Sequence, residues 1–408
     1  MINRILLIAG FLAIVLSAAP GQTGGFVTTR GVDILAPDGK TILLQGINIG
    51  NWLVPEGYMF KFDLATSPRK IHEVFSELIG AEAAQSFWKA YRDNYITHED
   101  IRWIKRSGLN SIRVPFNWRL FTTDDYSDVW AGPGFEMLDR ILGWCAEENL
   151  WVVLDMHCAP GGQTGDNIDD SWGYPFLFES PQSQEKAIEL WKRIALRYKD
   201  RRVLIGYDLL NEPIAHYYDA KKLNPLLEPL YKRIVTAIRD VDPNHLIFLG
   251  GAQWNTNFSV FGAPFDSKLV YTFHKYWCDT TQAMVQEYVD FGNKHHVPLW
   301  MGESGENSDK WIAAFRRLQE RNNIGWCFWP YKKMDAKSCL VTFDRPKNWE
   351  VIVKYANGPR GSFATLRANR PSAEIVQKAL NDFVELSGFK NCQVNTGYLQ
   401  ALGKELPH

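Results

Sequence analysis

The 408-residue chain has almost no excess of either charge: 45 Lys and Arg against 46 Asp and Glu leave a formal net charge of −1. A nucleic-acid groove needs surplus cations to displace phosphate counterions, so that class of partner is set aside. Cysteine is sparse. The six residues, at 145, 158, 278, 327, 339 and 392, form no CxxC pair and no Cys/His spacing suited to zinc. A chain this long buries a core that needs no disulfide staples. Cys145, Cys158 and Cys327 fall in or beside expected elements and read as buried thiols, whereas Cys278 and Cys339 follow strand ends and could pair across loops.

Chemistry-bearing motifs of several kinds are also missing. There is no H-E-x-x-H and no Asp-rich cation loop. Gly302-Glu-Ser-Gly lacks the G-x-S-x-G spacing of a nucleophile elbow. Gly46 and Gly50 lack the third glycine of a dinucleotide turn. Neither a metal nor an organic cofactor is expected. Long apolar runs are absent except at the start, MINRILLIAGFLAIVLSAAPGQ, where Arg4 precedes an apolar stretch from Ile5 to Leu16 and then small residues. That is the pattern of a signal peptide, expected over residues 1–21 with cleavage after Gly21, or alternatively after Ala19. The expectation is a secreted or periplasmic chain with no membrane span once the leader is removed, and a monomer.

What the chain does have is aromatic side chains, 16 Trp, 16 Tyr and 23 Phe. A rich core absorbs many of them. Trp is rarely fully buried, however, so some indoles remain for a cleft, and a flat apolar ring suits the C–H face of a pyranose. Strand signals recur at 43–48, 110–115, 150–155, 203–209, 246–250, 269–274, 297–301 and 324–329. The stretch 203–213, VLIGYDLLNEP, shows why: its apolar run alternates too little for a half-exposed strand, and Pro213 stops the ladder. Helical periodicity fills several gaps. Residues 184–198 carry an apolar stripe, Thr97 precedes acids as a cap, and residues 224–240 start with Asn224 as cap and Pro225 in the first turn. Residues 282–292, 308–322 and 373–386 follow the same pattern. Residues 32–44 read as a hairpin turning at Asp38-Gly39 that closes the bottom of a barrel. Loops are expected at 53–66, 158–180 and 251–268.

Eight strand–helix units favour an α/β fold of the (β/α)8 barrel type over a doubly wound sheet. The domain expectation is a catalytic barrel over 22–345 and an extension over 346–408 that packs on it. In such a barrel the chemistry lies at the C-terminal strand ends, and polar residues collect there: Arg113, Asp155 and His157, Asn211 and Glu212, Tyr271, His274 and Tyr276, Glu303, then Trp326, Trp329 and Lys332. Arg113 with Asp155 reads equally as a structural ion pair, and Glu306 reads as the first-turn acid of the helix that follows. Two glutamates on separate strands of one rim fit glycosidic cleavage, one protonating the leaving oxygen and the other staying ionised.

With these residues in order, the sequence resembles glycoside hydrolase family 5, the cellulase-like retaining glycosidases. The motifs are GINIGNWL, SIRVPFNW with Arg113, LDMHCAPGGQ with His157, GYDLLNEP with Asn211 and Glu212, YTFHKYW with His274 and Tyr276, WMGESG with Glu303 and GWCFWPYKK with Trp329. The resemblance implies Glu212 as acid/base and Glu303 as nucleophile. It also implies Asn211 on the sugar 2-hydroxyl, Arg113 and Tyr276 on the nucleophile, His157 and His274 lining the site, and Trp329 as its floor. Asn48, Trp52, Trp254 and Lys332 complete the candidate sugar-contacting set. Ser304 stands where the family more often has an aromatic residue. The implied substrate is a β-linked glucan, cut internally or from its ends. A β-glucosidase, a hydrolase of mannan, xyloglucan or a glycolipid, and an inactive carbohydrate-binding barrel are the alternatives.

Overall fold

The computed structural model describes residues 25–124 and 127–407; the expected leader over 1–21 lies outside them. Two short antiparallel strands come first, β1 (Thr28–Arg30) and β2 (Asp33–Leu35). A closed barrel of parallel strands follows: β3 (Gln45–Asn48), β4 (Ser111–Asn117), β5 (Trp151–Cys158), β6 (Leu204–Asp208), β7 (Leu246–Gly250), β8 (Leu269–His274), β9 (Leu299–Glu303) and β10 (Gly325–Phe328), which closes on β3. These are the eight expected strands, with β7 and β8 matching at both ends and no end shifted by more than three residues. They form because each is covered on both faces. In β4 and β6 every residue is buried.

Helices α1 (Pro68–Ile79), α2 (Ala81–Tyr95) and α3 (His98–Arg106) separate β3 from β4. Then α4 (Gly134–Glu148), α5 (Pro181–Tyr198), α6 (Ala220–Arg239), the short α7 (Ala252–Asn255), α8 (Gln286–His295) and α9 (Asp309–Arg321) follow successive strands. Thr97 caps α3 in a reciprocal capping box with Asp100, as the acids after it suggest. Helix α6 starts earlier than expected. Its cap is Asp219, whose carboxylate accepts from the N–H groups of Lys221 and Lys222, and Pro225 and Pro229 lie inside it. Asn224 instead exchanges side-chain hydrogen bonds with Gln253. Helices α1 and α2 occupy a stretch to which the sequence reading assigned no element. Ile71, Val74, Phe75 and Leu78 make the buried stripe of α1.

The hairpin also differs in detail. β1 and β2 turn through Gly31-Val32, and Asp38-Gly39 lies in a second, wider reversal closed by an isolated bridge between Leu35 and Thr41. Val27 and Ile34 join Val153, Leu246, Phe248, Val270, Trp300 and Cys327 in one apolar cluster that fills the lower barrel. The upper barrel is polar, with Asn48, Arg113, Asp155 and Asp208 fully buried.

After the barrel, β11 (Lys332–Met334) pairs with β12 (Val341–Phe343), and β12 with β13 (Gln393–Val394). Helices α10 (Trp349–Ala356), α11 (Phe363–Asn369), α12 (Ala373–Ser387) and α13 (Thr396–Ala401) make up the rest. Phe383 of α12 stacks on Phe60 at 5.1 Å and on Trp349 at 4.7 Å. Much of the aromatic content is spent there, in an interface of Phe60, Phe62, Phe75, Phe87, Trp88 and Tyr91 with the C-terminal helices. All six cysteines are free thiols, and Cys278 and Cys339, which could have paired across loops, do not; the Cys339 thiol is enclosed against Ala336 and Asn395 instead. Among the described residues no helix is long and apolar enough to cross a membrane.

Two residues of the candidate sugar-contacting set belong to this framework. Trp52 is 1% exposed and its Nε1 donates to Arg92 O, so its ring is core. Lys332 is fully buried: its ammonium lies 2.8 Å from Asp100 Oδ1 and donates to the carbonyls of Tyr95 and Ser387. It thereby ties α2, α3 and α12 together, out of reach of a ligand. Removing one partner of such a pair strands the other charge. Lys332→Met is expected to cost about 3–5 kcal/mol in denaturant unfolding, with much of that recovered in Lys332→Met/Asp100→Leu. Unchanged kinetics of the folded fraction would confirm that Lys332 has no part in the site.

Candidate active site

The strand alternation of two residues aims Asp155 and His157 of β5 at the same side, and each strand end adds its own polar group. Arg113 of β4 is the hub. Its Nε donates to Asp208 Oδ2 at 2.8 Å, its Nη1 to Asn48 Oδ1 at 3.1 Å and to Glu303 Oε1, and its Nη2 to Asn211 Oδ1 at 2.9 Å, with Asp155 Oδ2 3.1 Å from the same nitrogen. The two readings offered for Arg113 and Asp155 therefore coincide: the ion pair is structural, and it builds the site. Asn48 sits beneath this hub, fully buried, its amide donating to Gly302 O and Cys327 O.

Glu303, at the end of β9, also accepts from Tyr276 Oη at 3.0 Å. Glu212 lies across from it, joined to His274 Nδ1 at 2.9 Å, and His274 Nδ1 is 3.7 Å from Glu303 Oε2. One carboxylate oxygen from each glutamate and the His274 nitrogen all fall within 4.8 Å of one another. Glu212 has φ +45° and Ile214 φ +58°, left-handed backbone that β-branched Ile adopts only under constraint. The constraint comes from the loop after β5. Gln163 donates to His157 O and Asn211 O, both at 2.8 Å, Thr164 Oγ1 donates to Glu212 O at 2.8 Å, and the N–H groups of Ile214 and Ala215 donate back to Gln163 O and Thr164 O.

Burial raises the pKa of both glutamates, and their charges separate them. Glu212 is pushed well above the carboxylate range by burial and by the charge of Glu303. Burial raises Glu303 as well, but the Arg113 guanidinium pulls it back. Glu303 ionises first. Burial also holds His157 down to about 3 and His274 well below its ordinary value, so both imidazoles are neutral near pH 7. Burial raises Asp155 and Asp208 to about 7 against the pull of Arg113. Glu212, His274 and Glu303 are the one cluster among the described residues with metal-ligand spacing. The guanidinium of Arg113 on Glu303 opposes a cation there.

Trp329 follows β10 and lies parallel to His157, ring centroids 5.6 Å apart and 7° between planes. Gly50 makes room for it: a Cβ there would come within 2.5 Å of the indole. Its Nε1 donates to Tyr58 Oη at 2.8 Å, and Tyr58 in turn donates to Glu306 at 3.2 Å. Glu306 is therefore not a helix-start acid. It precedes the Ser308 cap of α9, has φ +48°, and takes Lys333 Nζ on both carboxylate oxygens at 2.8 Å. Trp254 is half-buried within three successive positive-φ residues and donates from Nε1 to His216 Nδ1 at 3.0 Å, close to Tyr217.

Three contributors were not singled out by sequence reasoning. Gln163 was quoted only within a motif, and Tyr58 only within a loop. Glu56 is 5% exposed with Oε1 unpartnered, and burial and the charges of Glu303 and Glu306 raise its pKa. Its place five residues after Asn51, whose side chain accepts from the Glu56 N–H, was the available signal.

A closed parallel barrel with paired glutamates at its C-terminal rim defines the class of barrel glycosidases. The model of the cellulase family, glycosyl hydrolase family 5, matches residues 72–335, and the chain belongs to that family. It is a glycoside hydrolase. The chain is 32% identical to a beta-xylosidase of Phanerodontia chrysosporium over 359 residues, 79% of this chain and 74% of that one. It is 28% identical to endoglucanase C of Acetivibrio thermocellus over 313 residues, 62% of this chain and 88% of that one. Among solved structures, the rutinosidase from Aspergillus niger shares the fold, with a TM-score of 0.57 at 18% identity, covering 72% of this chain and 90% of that one.

Tyr58→Phe deletes the acceptor of the Trp329 indole and leaves a nearly buried donor unsatisfied. The expected result is a loss of about 1–2 kcal/mol in kcat/KM, roughly 5- to 30-fold, with Tm changed little. Steady-state kinetics on an aryl β-glycoside beside a thermal melt checks it.

Proposed function

We propose that the chain is a retaining β-glycosidase acting on β-glucans, with Glu303 as nucleophile and Glu212 as acid/base. The observation that carries this reading is the pair of carboxylate oxygens within 4.8 Å of each other. Oxygens this close favour the roughly 5–5.5 Å carboxyl separation of a double displacement over the roughly 6.5–9.5 Å at which an inverting pair admits water.

In the first step a Glu303 oxygen bonds to the anomeric carbon as the glycosidic C–O bond breaks, and the Glu212 proton passes to the departing oxygen. In the second, Glu212 takes a proton from water, the water oxygen bonds to the anomeric carbon, and Glu303 leaves. Arg113 and Tyr276 hold Glu303 ionised and aimed. Asn211 has its carbonyl oxygen committed to Arg113 and its amide nitrogen 3.4 Å from His157 Nε2, which leaves the second N–H of that amide for a sugar 2-hydroxyl. Trp329 offers the ring floor, and Trp254 a second aromatic face at the rim. A sugar hydroxyl competing with water in the second step would give transglycosylation.

The endoglucanase relative and the glucan 1,3-beta-glucosidase of Schwanniomyces occidentalis, 29% identical over 211 residues, support a glucan substrate. The beta-xylosidase relative, which matches over the longest span of these, supports a β-xyloside as the second reading. Polymers of either kind lie outside cells, in keeping with the export we also propose.

The experiment is a product time course of the purified protein on barley β-glucan, laminarin, carboxymethyl-cellulose, mannan, xylan and aryl β-glycosides, with the anomer of the first product read by NMR. Early β-anomer supports retention, and early α-anomer overturns it. Glu303→Ala is expected to lose about 10⁴-fold or more in kcat while remaining folded. Activity needs Glu303 ionised and Glu212 protonated. It therefore falls as pH drops through the Glu303 pKa and again as pH rises through the raised Glu212 pKa. Glu212→Ala is expected to lose the alkaline limb of kcat/KM on an aryl glycoside whose leaving group needs no proton, and an unchanged limb would sink the assignment.

A further inference from the structure

The loop that follows β5 has a second face. Gln163 and Thr164 hold the Glu212 turn, but Ala159 to Gly162, Asp170 to Trp172 and Phe176 wall a groove of about 850 Å³, completed by Trp118, Arg119, Asp128 and Trp130 and by the start of α5. None of Arg113, His157, Glu212, His274, Tyr276, Glu303 or Trp329 lines it. Its aromatic residues are Trp118, Trp130, Trp172 and Phe176.

Trp172 is 66% exposed and Phe176 44%, among the most exposed large apolar side chains of the described residues. Trp172 is nevertheless not loose. The Arg69 guanidinium stacks 3.4 Å from its ring centroid, donates to Ser171 O at 2.9 Å, and lies beside Asp170. One ring face is clamped and the other is left free, a cost in exposed apolar area that a ligand would offset. Most of the charges around the groove are already engaged: Arg119 with Asp170, Glu185 with Arg233, Glu189 with Arg193, and Lys186 with the carbonyl of Ser127. That leaves little demand for an ionic ligand. The volume falls in the range of small-ligand sites, about 300–1,000 Å³, whereas a protein partner would meet a larger and flatter face.

We propose that this groove is a second binding site for a neutral glycan chain, separate from the catalytic site and sharing one loop with it. Trp172 and Trp130 are the stacking platforms, and Gln182 and Ser183 supply polar groups to the sugar hydroxyls. The proposal rests on the reading of the enzyme as one that cleaves polysaccharide. The shared loop places a held chain next to the turn that carries Glu212.

The test is affinity electrophoresis through gels containing barley β-glucan, laminarin or soluble xylan. Glu303→Gln is the background, so that the polymer is not consumed. Trp172→Ala and Trp130→Ala are then added singly, each with a thermal melt. The same two substitutions are also made in the active enzyme and assayed on an aryl β-glycoside. Trp172 is so exposed that its removal should leave folding intact. The expected result is retention weakened about 3- to 10-fold by either change, the scale of one lost aromatic contact, with aryl-glycoside kcat/KM within about twofold. Retention equal to that of the background in a chain that still cleaves the polymer overturns the groove and leaves the catalytic reading standing. A parent chain that neither cleaves nor is retained by any of the polymers overturns both.

Discussion

A single buried guanidinium holds the functional end of this barrel together. Arg113 has no exposure to water, so its charge is tolerable only with partners, and Asp155, Asp208 and Glu303 surround it. Burial alone would lower its pKa, and those three carboxylates more than reverse that. Burial raises Asp155 and Asp208 to about 7, and the shared Arg113 offsets only part of that. Glu303 takes Arg113 on one oxygen and Tyr276 on the other. The parallel barrel makes this possible: strands β3, β4, β5, β6 and β9 each deliver one group to the same point.

The asymmetry between the glutamates follows from that hub. Glu303 touches Arg113; Glu212 does not, and it sees the charge of Glu303 without a contact that cancels it. Two carboxyls of the same kind, both largely screened from water, are thus raised unequally without any difference in side-chain chemistry. Position does what residue type cannot. The positive φ at Glu212 and Ile214 indicates the backbone cost of that position, and Gln163 and Thr164 are what hold it.

The strands and the order of the polar residues were legible because both obey short-range rules. Two-sided burial writes apolar runs of five to eight residues, and a strand end must release the chain to water, so polar groups appear where each run stops. What side chains do beyond a strand end obeys no such rule. Within seven residues after β10 begins, Trp326 points into the core, Trp329 floors the site, and Lys332 turns away to Asp100. Spacing does not separate these fates, because they depend on where β11 and α12 pack. Trp52 and Trp329 read alike in the sequence for the same reason. Glu306 looked like a helix-start acid because its true partners, Tyr58 and Lys333, lie 248 and 27 residues away. Aromatic abundance was also an ambiguous signal. It reflects the contact between α1, α2 and the C-terminal helices at least as much as it reflects a sugar cleft.

The loop after β5 shows how far a rigid site depends on irregular chain. Loops this long usually trade order for variability, yet this one is fixed at both faces. Toward the barrel, Gln163 spends its amide on the carbonyls of His157 in β5 and Asn211 beside Glu212. Toward the outside, Asp169 accepts from the N–H groups of Thr164, Gly165 and Ser171, and Asp170 takes Arg119. A change at the outer face therefore has a short, hydrogen-bonded route to the backbone of Glu212. The position of Glu212 beside Glu303 depends in turn on the loop's own buried acids staying satisfied. In this barrel the strands choose which residues meet, and the β5–α5 loop decides how accurately they do so.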